Sequence, residues 1–377
     1  MSGWAQSSAA ALAVTLLARP AAAIEGGALD RTHGFAVAIV AGGPGAPEMR
    51  CTGNLVSANV VLTVRHCVGP AASREGDCAA ELGAPEGQLW VGTSPWVQPG
   101  SGWHKVARVV VPETRKACGD DVALLVLDSP VPESAATPVR IAVSVDAFHE
   151  AAKAGVITVS GFGADDASGA GVGTRRVRGD IPLRCLPGEP GYSCGPELSV
   201  IDALEFTAGS GPCSGDSGAG ALSIGSSPTV FGLLSRGKLA RGCGEGVFER
   251  TDVWAWLVAK TILEAAPQGG APAWASSLFP ASAREGELCL DASVCGPRAA
   301  CASLDDRRSW RCVTTCSSDR SCAPDQRCDA GLCVAAVASA PVGEGCRVGV
   351  ARGPERGLVL ATLLAIFLIR RRVTARR

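Results

Sequence analysis

The placement of the cysteines constrains this chain more than any other feature of its sequence. The 377 residues include 17 cysteines. Eight are spread over positions 51–243, eight are crowded into positions 289–333, and one stands apart at position 346. So many cysteines are typical of disulfides made in an oxidising compartment, or of metal clusters. Because the total is odd, at least one cysteine has no partner within the chain.

The crowded cysteines predict a small disulfide-rich module over residues 288–334. This segment has little apolar sequence with which to build a core, so four disulfides would stabilise it instead. Zinc sites favour Cys-x-x-Cys pairs, whereas these cysteines stand further apart and no histidine accompanies them. We therefore expect disulfides and no metal, and the sequence leaves their connectivity open.

The N-terminus is typical of an export signal. Residues 9–18 are apolar and precede three alanines at 21–23, the small-residue pattern of a signal-peptidase site. A buried helix is the alternative, but the short run and its place at the terminus favour a signal peptide over residues 1–23. Export agrees with the cysteine content, because exported chains meet oxidising surroundings.

The C-terminus has the pattern of a second targeting segment. Residues 357–369 are uncharged and precede an arginine cluster at 370–372, the pattern of a stop-transfer element. The run is shorter than the ~20 residues that a bilayer span needs. With Cys346 ahead of it, residues 346–377 resemble the sorting tails of myxobacterial surface proteins, in which the tail is removed and the cysteine carries the anchor. A simple single-pass anchor is the alternative, and both predict a membrane or cell-surface location.

Between the ends, residues 24–266 are predicted to form an all-β domain. Short β-type runs alternate with Gly, Pro, Ser and Asp, which favours a sandwich or barrel, and a helical stretch closes the region. Pro267 and the Gly-Gly-Ala-Pro after it mark a boundary. Residues 267–287 and 335–345 are therefore predicted to be linkers. The clearest β-type runs are Ala36–Val40, Leu55–Leu62, Val106–Val111, Val122–Leu127, Gly155–Ser160 and Val230–Leu234.

Charge and composition exclude several classes of protein. A formal net charge of −1 offers no basic surface to neutralise phosphates. No Gly-Lys-Ser/Thr loop indicates a nucleotide site. A chain with 47% hydrophobic and 19% charged residues does not have the profile of a disordered protein. We expect no nucleic-acid partner, no cofactor and no metal.

Three separated motifs supply candidate catalytic groups. His66 stands before a cysteine, Asp121 enters a buried strand, and Ser217 lies in a Gly-Asp-Ser-Gly turn. Serine is a poor nucleophile until a base takes its proton and a carboxylate orients that base. Each motif alone is common in structural settings, and Asp120 is a rival carboxylate. Their occurrence together, in this order, indicates a serine hydrolase.

These motifs resemble those of the trypsin-like (chymotrypsin-fold) serine proteases, from Ile24 to the terminal helix. The resemblance implies two six-stranded Greek-key β-barrels with a C-terminal helix, followed here by the disulfide-rich module and a short hydrophobic helix. It implies that His66 is the general base and acid, that Asp121 orients it and that Ser217 attacks. It further implies an exported monomeric endopeptidase that cleaves protein or peptide substrates.

The same resemblance assigns supporting roles. The N–H groups of Gly215 and Ser217 would form the oxyanion hole. A freed Ile24 amino group would pair with Asp216 in a buried activation pair. No Lys or Arg precedes Ile24, whereas the signal-peptidase pattern at 21–23 does. We therefore predict that signal cleavage itself creates this N-terminus.

The resemblance also predicts a substrate pocket. Gly211 would form its base, with Gly237 and Gly246 as walls and Ser235 supporting the aspartate. Without an acid at the base, Arg or Lys preference is disfavoured and a neutral pocket for apolar side chains is expected. Arg236 stands where the family has Trp, which leaves an acidic or extended-site preference open.

The family pattern also implies how cysteines pair. Cys51–Cys67 would brace the histidine loop and Cys213–Cys243 the nucleophile loop. Cys185–Cys194 and Cys78–Cys118 are candidates for bridges outside that pattern. Cys346 is then the cysteine left over, which predicts an anchor site.

Two other functions are compatible with the sequence. A non-catalytic surface binding protein on a protease scaffold would use the disulfide-rich module for recognition, although the intact set of three motifs argues against it. An esterase would use the same serine chemistry. Peptide and simple ester substrates would separate this last alternative.

Overall fold

The computed structural model describes residues 24–70, 78, 80–100, 102–166, 168–189, 191–192, 194, 201–237, 243–304 and 308–336. The predicted signal peptide and the predicted tail with Cys346 lie outside these residues. The chain divides into two compact units, Met1–Val334 and Ala335–Arg377. In the described ranges, no helix has both the length and the apolar character needed to cross a bilayer.

The first half of the domain is a closed antiparallel barrel. Its strands follow one another in the order β2-β3-β4-β7-β6-β5. β4 and β7 are buried along their whole length, because one face lines the barrel and the other is covered by the rest of the domain. The strands are β2 (Ala36–Ala41), β3 (Glu48–Ser57), β4 (Val60–Thr63), β5 (Trp90–Gly92), β6 (Trp103–Val110) and β7 (Ala123–Leu127).

The second half closes in the same way, in the order β9-β10-β11-β14-β13-β12 and back to β9. Phe206 is central to its core, since its ring stacks on Phe231 and Phe248 at centroid distances of 5.4 and 5.3 Å. Two short strands join this sheet: β1 (Ala28–Leu29) pairs with β10, and β8 (Arg140–Ile141) pairs with β13. The barrel strands are β9 (Val156–Gly161), β10 (Arg176–Cys185), β11 (Glu205–Ser210), β12 (Gly220–Leu222), β13 (Thr229–Gly237) and β14 (Glu245–Arg250).

Among the described residues, three α-helices accompany the barrels: α1 (Val145–Ala152), α2 (Ala255–Gly269) and α3 (Ala273–Ser277). A 3-10 turn, Asp252–Trp254, leads into α2. The fully buried side chains of Val258, Ala259 and Ile262 pack α2 against the core of the first barrel. The predicted all-β fold with two six-stranded barrels and a C-terminal helix is therefore confirmed.

The segment between α2 and the disulfide-rich module is packed rather than extended. Ala275 of α3 is fully buried in the core of the first barrel. Trp274, Leu278 and Phe279 are partly buried against the same core. The residues predicted to be a linker thus hold the module close to the domain.

The disulfide-rich module consists of two hairpins, each with two disulfides. β15 (Ala299–Ala302) pairs with β16 (Arg311–Thr314), and β17 (Gln326–Asp329) pairs with β18 (Leu332–Ala335). In each half the first cysteine joins the third and the second joins the fourth, so one pattern occurs twice. The bonds are Cys289–Cys301, Cys295–Cys312, Cys316–Cys328 and Cys322–Cys333.

Candidate active site

His66 and Asp121 meet at the edge of the first barrel. His66 lies in a 3-10 turn, Arg65–Cys67, that directly follows β4. Its Nδ1 is 2.8 Å from Asp121 Oδ2, and its backbone N–H donates to Asp121 Oδ1 at 3.0 Å. The hydroxyl of Ser235 donates to the same Oδ2 at 2.7 Å. The carboxylate therefore fixes both the position and the orientation of the imidazole.

The burial of the pair is unequal. The side chain of Asp121 is 2% exposed and that of His66 is 20% exposed. Burial alone would raise the pKa of Asp121, but His66 and the hydrogen bonds from His66 and Ser235 lower it below its ordinary value. Asp121 is therefore ionised at neutral pH, while the His66 side chain is partly exposed to solvent.

Ser217 lies in a tight turn between β11 and β12. Its carbonyl oxygen accepts a hydrogen bond from Thr52 N–H at 2.8 Å and lies 3.8 Å from Cys67 Sγ, next to the histidine. The following residue, Gly218, has a φ of +84°, and a Cβ there would lie 2.2 Å from Thr52 O. Only glycine permits this approach, which seats the serine turn against the strands that carry His66.

Two backbone N–H groups of the Ser217 turn have no acceptor among the described residues, whereas Asp216 N–H and Gly218 N–H donate to Cys213 O and Leu234 O. Within the described part of the chain, neither Gly215 N–H nor Ser217 N–H donates a hydrogen bond, and Ser217 Oγ makes none. A Cβ on Gly215, whose φ is +95°, would lie 2.9 Å from the Cα of Gly163. The turn therefore presents two free N–H groups beside a half-buried hydroxyl, which is the equipment for binding an oxyanion.

Asp216 is a fully buried carboxylate. It accepts hydrogen bonds from Gly163 N–H at 2.7 Å and Cys213 N–H at 2.9 Å. Burial nevertheless raises its pKa to about 7. Among the described residues, no cation forms an ion pair with it.

The segment that begins at Ile24 is held at the second barrel. The Ile24 side chain is fully buried in the core with Ile157 and Ile181. Glu25 N–H donates to Gly211 O at 2.8 Å. In this chain the Ile24 nitrogen belongs to a peptide bond with Ala23 and carries no charge. The expected pair with Asp216 is thus not present in the uncleaved chain.

The residues predicted to line a substrate pocket lie on neighbouring strands. Gly237 of β13 and Gly246 of β14 are opposite each other in the register. Gly211 directly follows β11. A Cβ built on it would lie 3.1 Å from Ile181 Cδ1 and 3.4 Å from Arg178 Nη1. Arg178, on β10, is thus the charge nearest to this position, and it was not among the predicted site residues.

Arg236 does not extend into the cleft. Its Nη1 and Nη2 donate to the two carboxylate oxygens of Glu205, at 2.5 and 2.9 Å, and its side chain is only 12% exposed. The arginine that replaces the family's Trp therefore turns inward and neutralises a buried acid.

A second buried acid, Glu249, lies behind Asp121. Its Oε1 accepts hydrogen bonds from Gly119 N–H at 3.0 Å and Asp121 N–H at 3.3 Å. Burial, together with the charges of Glu205 and Asp121, raises the pKa of Glu249 well above its usual range. Glu205 and Glu249 were not predicted as site residues, although a glutamate beside Phe in each of two buried strands is a signal that can reveal them in the sequence.

Disulfides brace the loops around the site. Cys51–Cys67 ties the histidine turn to β3, and Cys213–Cys243 ties the serine turn to the segment before β14. The structure also contains Cys78–Cys118 and Cys185–Cys194. All eight cysteines of the two barrels are therefore paired with one another.

The two six-stranded barrels define the fold class of the trypsin-like serine peptidases. In agreement with this, the trypsin family model matches residues 24–257, which is more than half of the chain. The chain belongs to the trypsin family. No curated protein matches the sequence. The family acts on protein and peptide substrates, and the eight disulfides of the described residues indicate an extracellular or secreted protein.

Proposed function

We propose that this chain is an exported serine endopeptidase that cleaves peptide bonds through His66, Asp121 and Ser217. The observation that carries the proposal is the set of three hydrogen bonds that two neighbours make to the Asp121 carboxylate. Two come from the ring and backbone of His66 and one comes from Ser235. Together these hydrogen bonds hold the imidazole in the orientation and tautomer that a general base needs.

In the proposed reaction, Ser217 Oγ attacks the carbonyl carbon of the scissile bond while His66 Nε2 accepts its proton. The oxygen of the tetrahedral intermediate takes up the negative charge, and the free N–H groups of Gly215 and Ser217 stabilise it. His66 then gives the proton to the departing amine, which leaves an acyl-enzyme. Water, activated by the same imidazole, releases the acid and restores Ser217.

Activation would depend on cleavage between Ala23 and Ile24. The buried Asp216 forms no ion pair with a cation of the described residues, and its raised pKa agrees with a carboxylate that is not charge-compensated there. A new ammonium group at Ile24 would supply that charge and lower this pKa. The three alanines at 21–23 support the view that the export machinery makes the cut.

The primary pocket is proposed to be neutral and to favour apolar side chains. Gly211 contributes no acid, and Arg178 would repel a cationic side chain at that position. Arg236 is removed from the cleft by Glu205. The C-terminal segment 346–377 is proposed to hold the enzyme at the cell surface, with Cys346 as the anchor site.

The decisive experiment is covalent labelling of the mature protein with a fluorophosphonate. One adduct per molecule at Ser217 is expected, and Ser217→Ala is the matched control. Edman sequencing of the same sample should begin at Ile24, and intact mass should show a modified Cys346. Protein that begins at Ile24 yet does not label would favour the alternative, a binding protein on a peptidase scaffold.

A further inference from the structure

The disulfide-rich module is docked on the end of the peptidase domain. Trp256 of α2 donates from Nε1 to Cys289 O at 2.8 Å, and its ring lies 6.0 Å from the ring of Trp310. Cys289 N–H in turn donates to Trp310 O at 2.9 Å. Both an apolar contact and a buried hydrogen bond therefore fix the module, which is more than a flexible spacer would need.

From this docked position, one side chain of the module reaches the active-site loop. Arg308 Nη2 lies 3.4 Å from Asp120 Oδ1, and its guanidinium carbon lies 5.9 Å from the ring centroid of Trp254. The Arg308 side chain is 15% exposed and Asp120 is fully buried. The pair is therefore largely shielded from solvent, where a charge interaction is stronger than at the surface.

Asp120 belongs to the turn that presents the proposed catalytic aspartate. Its Oδ2 accepts from Lys116 N–H at 3.1 Å and its carbonyl oxygen accepts from Val122 N–H at 3.0 Å. Asp120 thus closes the loop on both sides of Asp121. Arg308 supplies this carboxylate with a cation from a distant part of the chain, 188 residues away.

Several charged groups surround this turn, among them the buried Arg65, whose guanidinium interacts electrostatically with both Asp120 and Asp121. Four carboxyl groups are buried together there, those of Asp120, Asp121, Glu205 and Glu249. Arg236 pairs with Glu205 from inside the second barrel. Arg308 pairs with Asp120 from the module. Without Arg308, the Asp120 carboxylate would be buried beside Asp121 with its ion pair broken, and like charges so placed repel.

We propose that Arg308 of the disulfide-rich module is a positioning residue for catalysis, which holds the Asp120 turn so that Asp121 keeps its two hydrogen bonds to His66. The module is then a working part of the peptidase and not a separate recognition unit. This inference rests on the proposed function, because Arg308 acts through Asp121.

The test uses protein that begins at Ile24 and retains the disulfide-rich module, with Arg308→Gln, Arg308→Lys, Asp120→Asn and the double variant Arg308→Gln/Asp120→Asn. Each is titrated with a fluorophosphonate, so that kcat is expressed per active site. Arg308→Gln is expected to lower kcat about tenfold with little change in KM, because the turn loses its alignment. Arg308→Lys should restore most of kcat, since it keeps the charge.

The pH profile separates positioning from folding. Arg308→Gln removes a cation near the His66–Asp121 pair, so the acid limb of kcat/KM should move to higher pH by about half a unit. Asp120→Asn removes an anion and should move the limb the other way. The double variant should return close to the wild-type position. Arg327→Gln is the matched control, because Arg327 lies on the same module but pairs with Asp329 at the surface.

Three results would overturn the inference. Arg308→Gln could match Arg327→Gln in kcat and in the position of the acid limb. It could instead lose only thermal stability, with kcat per titrated site unchanged, which is a structural role. If Arg308→Gln fails to fold, a folded Asp120→Asn with a wild-type acid limb and kcat is decisive against the inference. A wild-type protein that neither labels nor cleaves peptides would overturn the proposed function as well. This outcome is recognised from the wild type alone, before any variant is compared with it.

Discussion

Arg236 donates to both carboxylate oxygens of Glu205 and so neutralises an acid buried behind Asp121. Three unusual residues meet at this point, since Glu249 lies beside the pair and its pKa is raised well above its usual range. A cation that faced solvent in the cleft would bind substrate directly. Because Arg236 points inward, it instead stabilises the buried carboxylate of Glu205 behind Asp121.

The first prediction concerns this pair. Arg236→Met leaves Glu205 charged and buried, and should lower the free energy of unfolding by about 3 kcal/mol. Arg236→Met/Glu205→Met replaces both charges by apolar groups and should recover most of that loss. Urea denaturation of the Ser217→Ala background measures both without autolysis. Equal losses in the single and double variants would contradict the view that the two charges compensate each other.

The second prediction concerns the hydroxyl that supports the aspartate. Ser235→Ala removes the 2.7 Å hydrogen bond to Asp121 Oδ2 and leaves both bonds from His66 in place. We expect kcat to fall about tenfold and KM to change little, because the lost bond matters most when His66 carries a proton. Steady-state hydrolysis of a peptide substrate measures this. Ser214→Ala is the control, since that side chain is exposed in the same region.

The third prediction concerns pH and maturation. In the uncleaved chain the pKa of Asp216 is raised to about 7, against an unfolded value near 4. The folded state therefore holds a proton that the unfolded state releases, so stability should fall as pH rises from about 4 to about 7. The loss should be on the order of 4 kcal/mol.

Cleavage before Ile24 should remove this pH dependence. A new ammonium group would favour the ionised Asp216 and lower its pKa, so the mature protein should keep its stability through the same range. Urea unfolding at a series of pH values, on Ser217→Ala protein with and without residues 1–23, gives the comparison. Asp216→Asn should flatten the profile of the uncleaved form. A steep profile that survives this substitution would assign the effect to another group.

The fourth prediction concerns specificity. Gly211→Asp would place a carboxylate next to Arg178, whose Nη1 is 3.4 Å from the position of the new Cβ. The two should pair, so cleavage after Lys or Arg should rise less than about tenfold. Combined with Arg178→Leu, the carboxylate loses that partner and the preference should appear. Matched peptides that differ only at the cleaved residue report kcat/KM, and a full Lys or Arg preference in Gly211→Asp alone would contradict this role for Arg178.

Local pattern sufficed to predict the strands with continuous apolar runs. Ala36–Val40 lies in β2, and Val122–Leu127 covers β7 and the residue before it, because buried strands leave a plain apolar signature. Strand β10 was not predicted from the sequence, because its Arg and Asp residues break the polar–apolar alternation of a strand. Its pairing with β9 is also interrupted by an irregularity between Arg178 and Ile181. Helix α1 was not predicted either, although Ser144 caps its N-terminus by accepting a hydrogen bond from Ala147 N–H.

The candidate site also has one part that local sequence predicts and another part that it does not. The motifs around His66, Asp121 and Ser217 are local and were visible in the sequence. The groups that surround them depend on partners far along the chain. Glu249 contacts Asp121 across 128 residues, and Arg308 reaches Asp120 across 188. Residues so far apart in the chain share no local sequence pattern that would predict their contact. Only the folded structure therefore shows which buried charges lie close together.

The docking of Trp256 has a practical consequence for producing the enzyme. The family-matched region ends at residue 257, whereas α2 continues to Gly269 and its buried Val258 and Ile262 cover the first barrel. A protein shortened to the match would lose most of this helix and would leave Trp256 without the module that receives it. We expect the shortest form that can be expressed and stored in solution to extend through Cys333, with all eight disulfides formed.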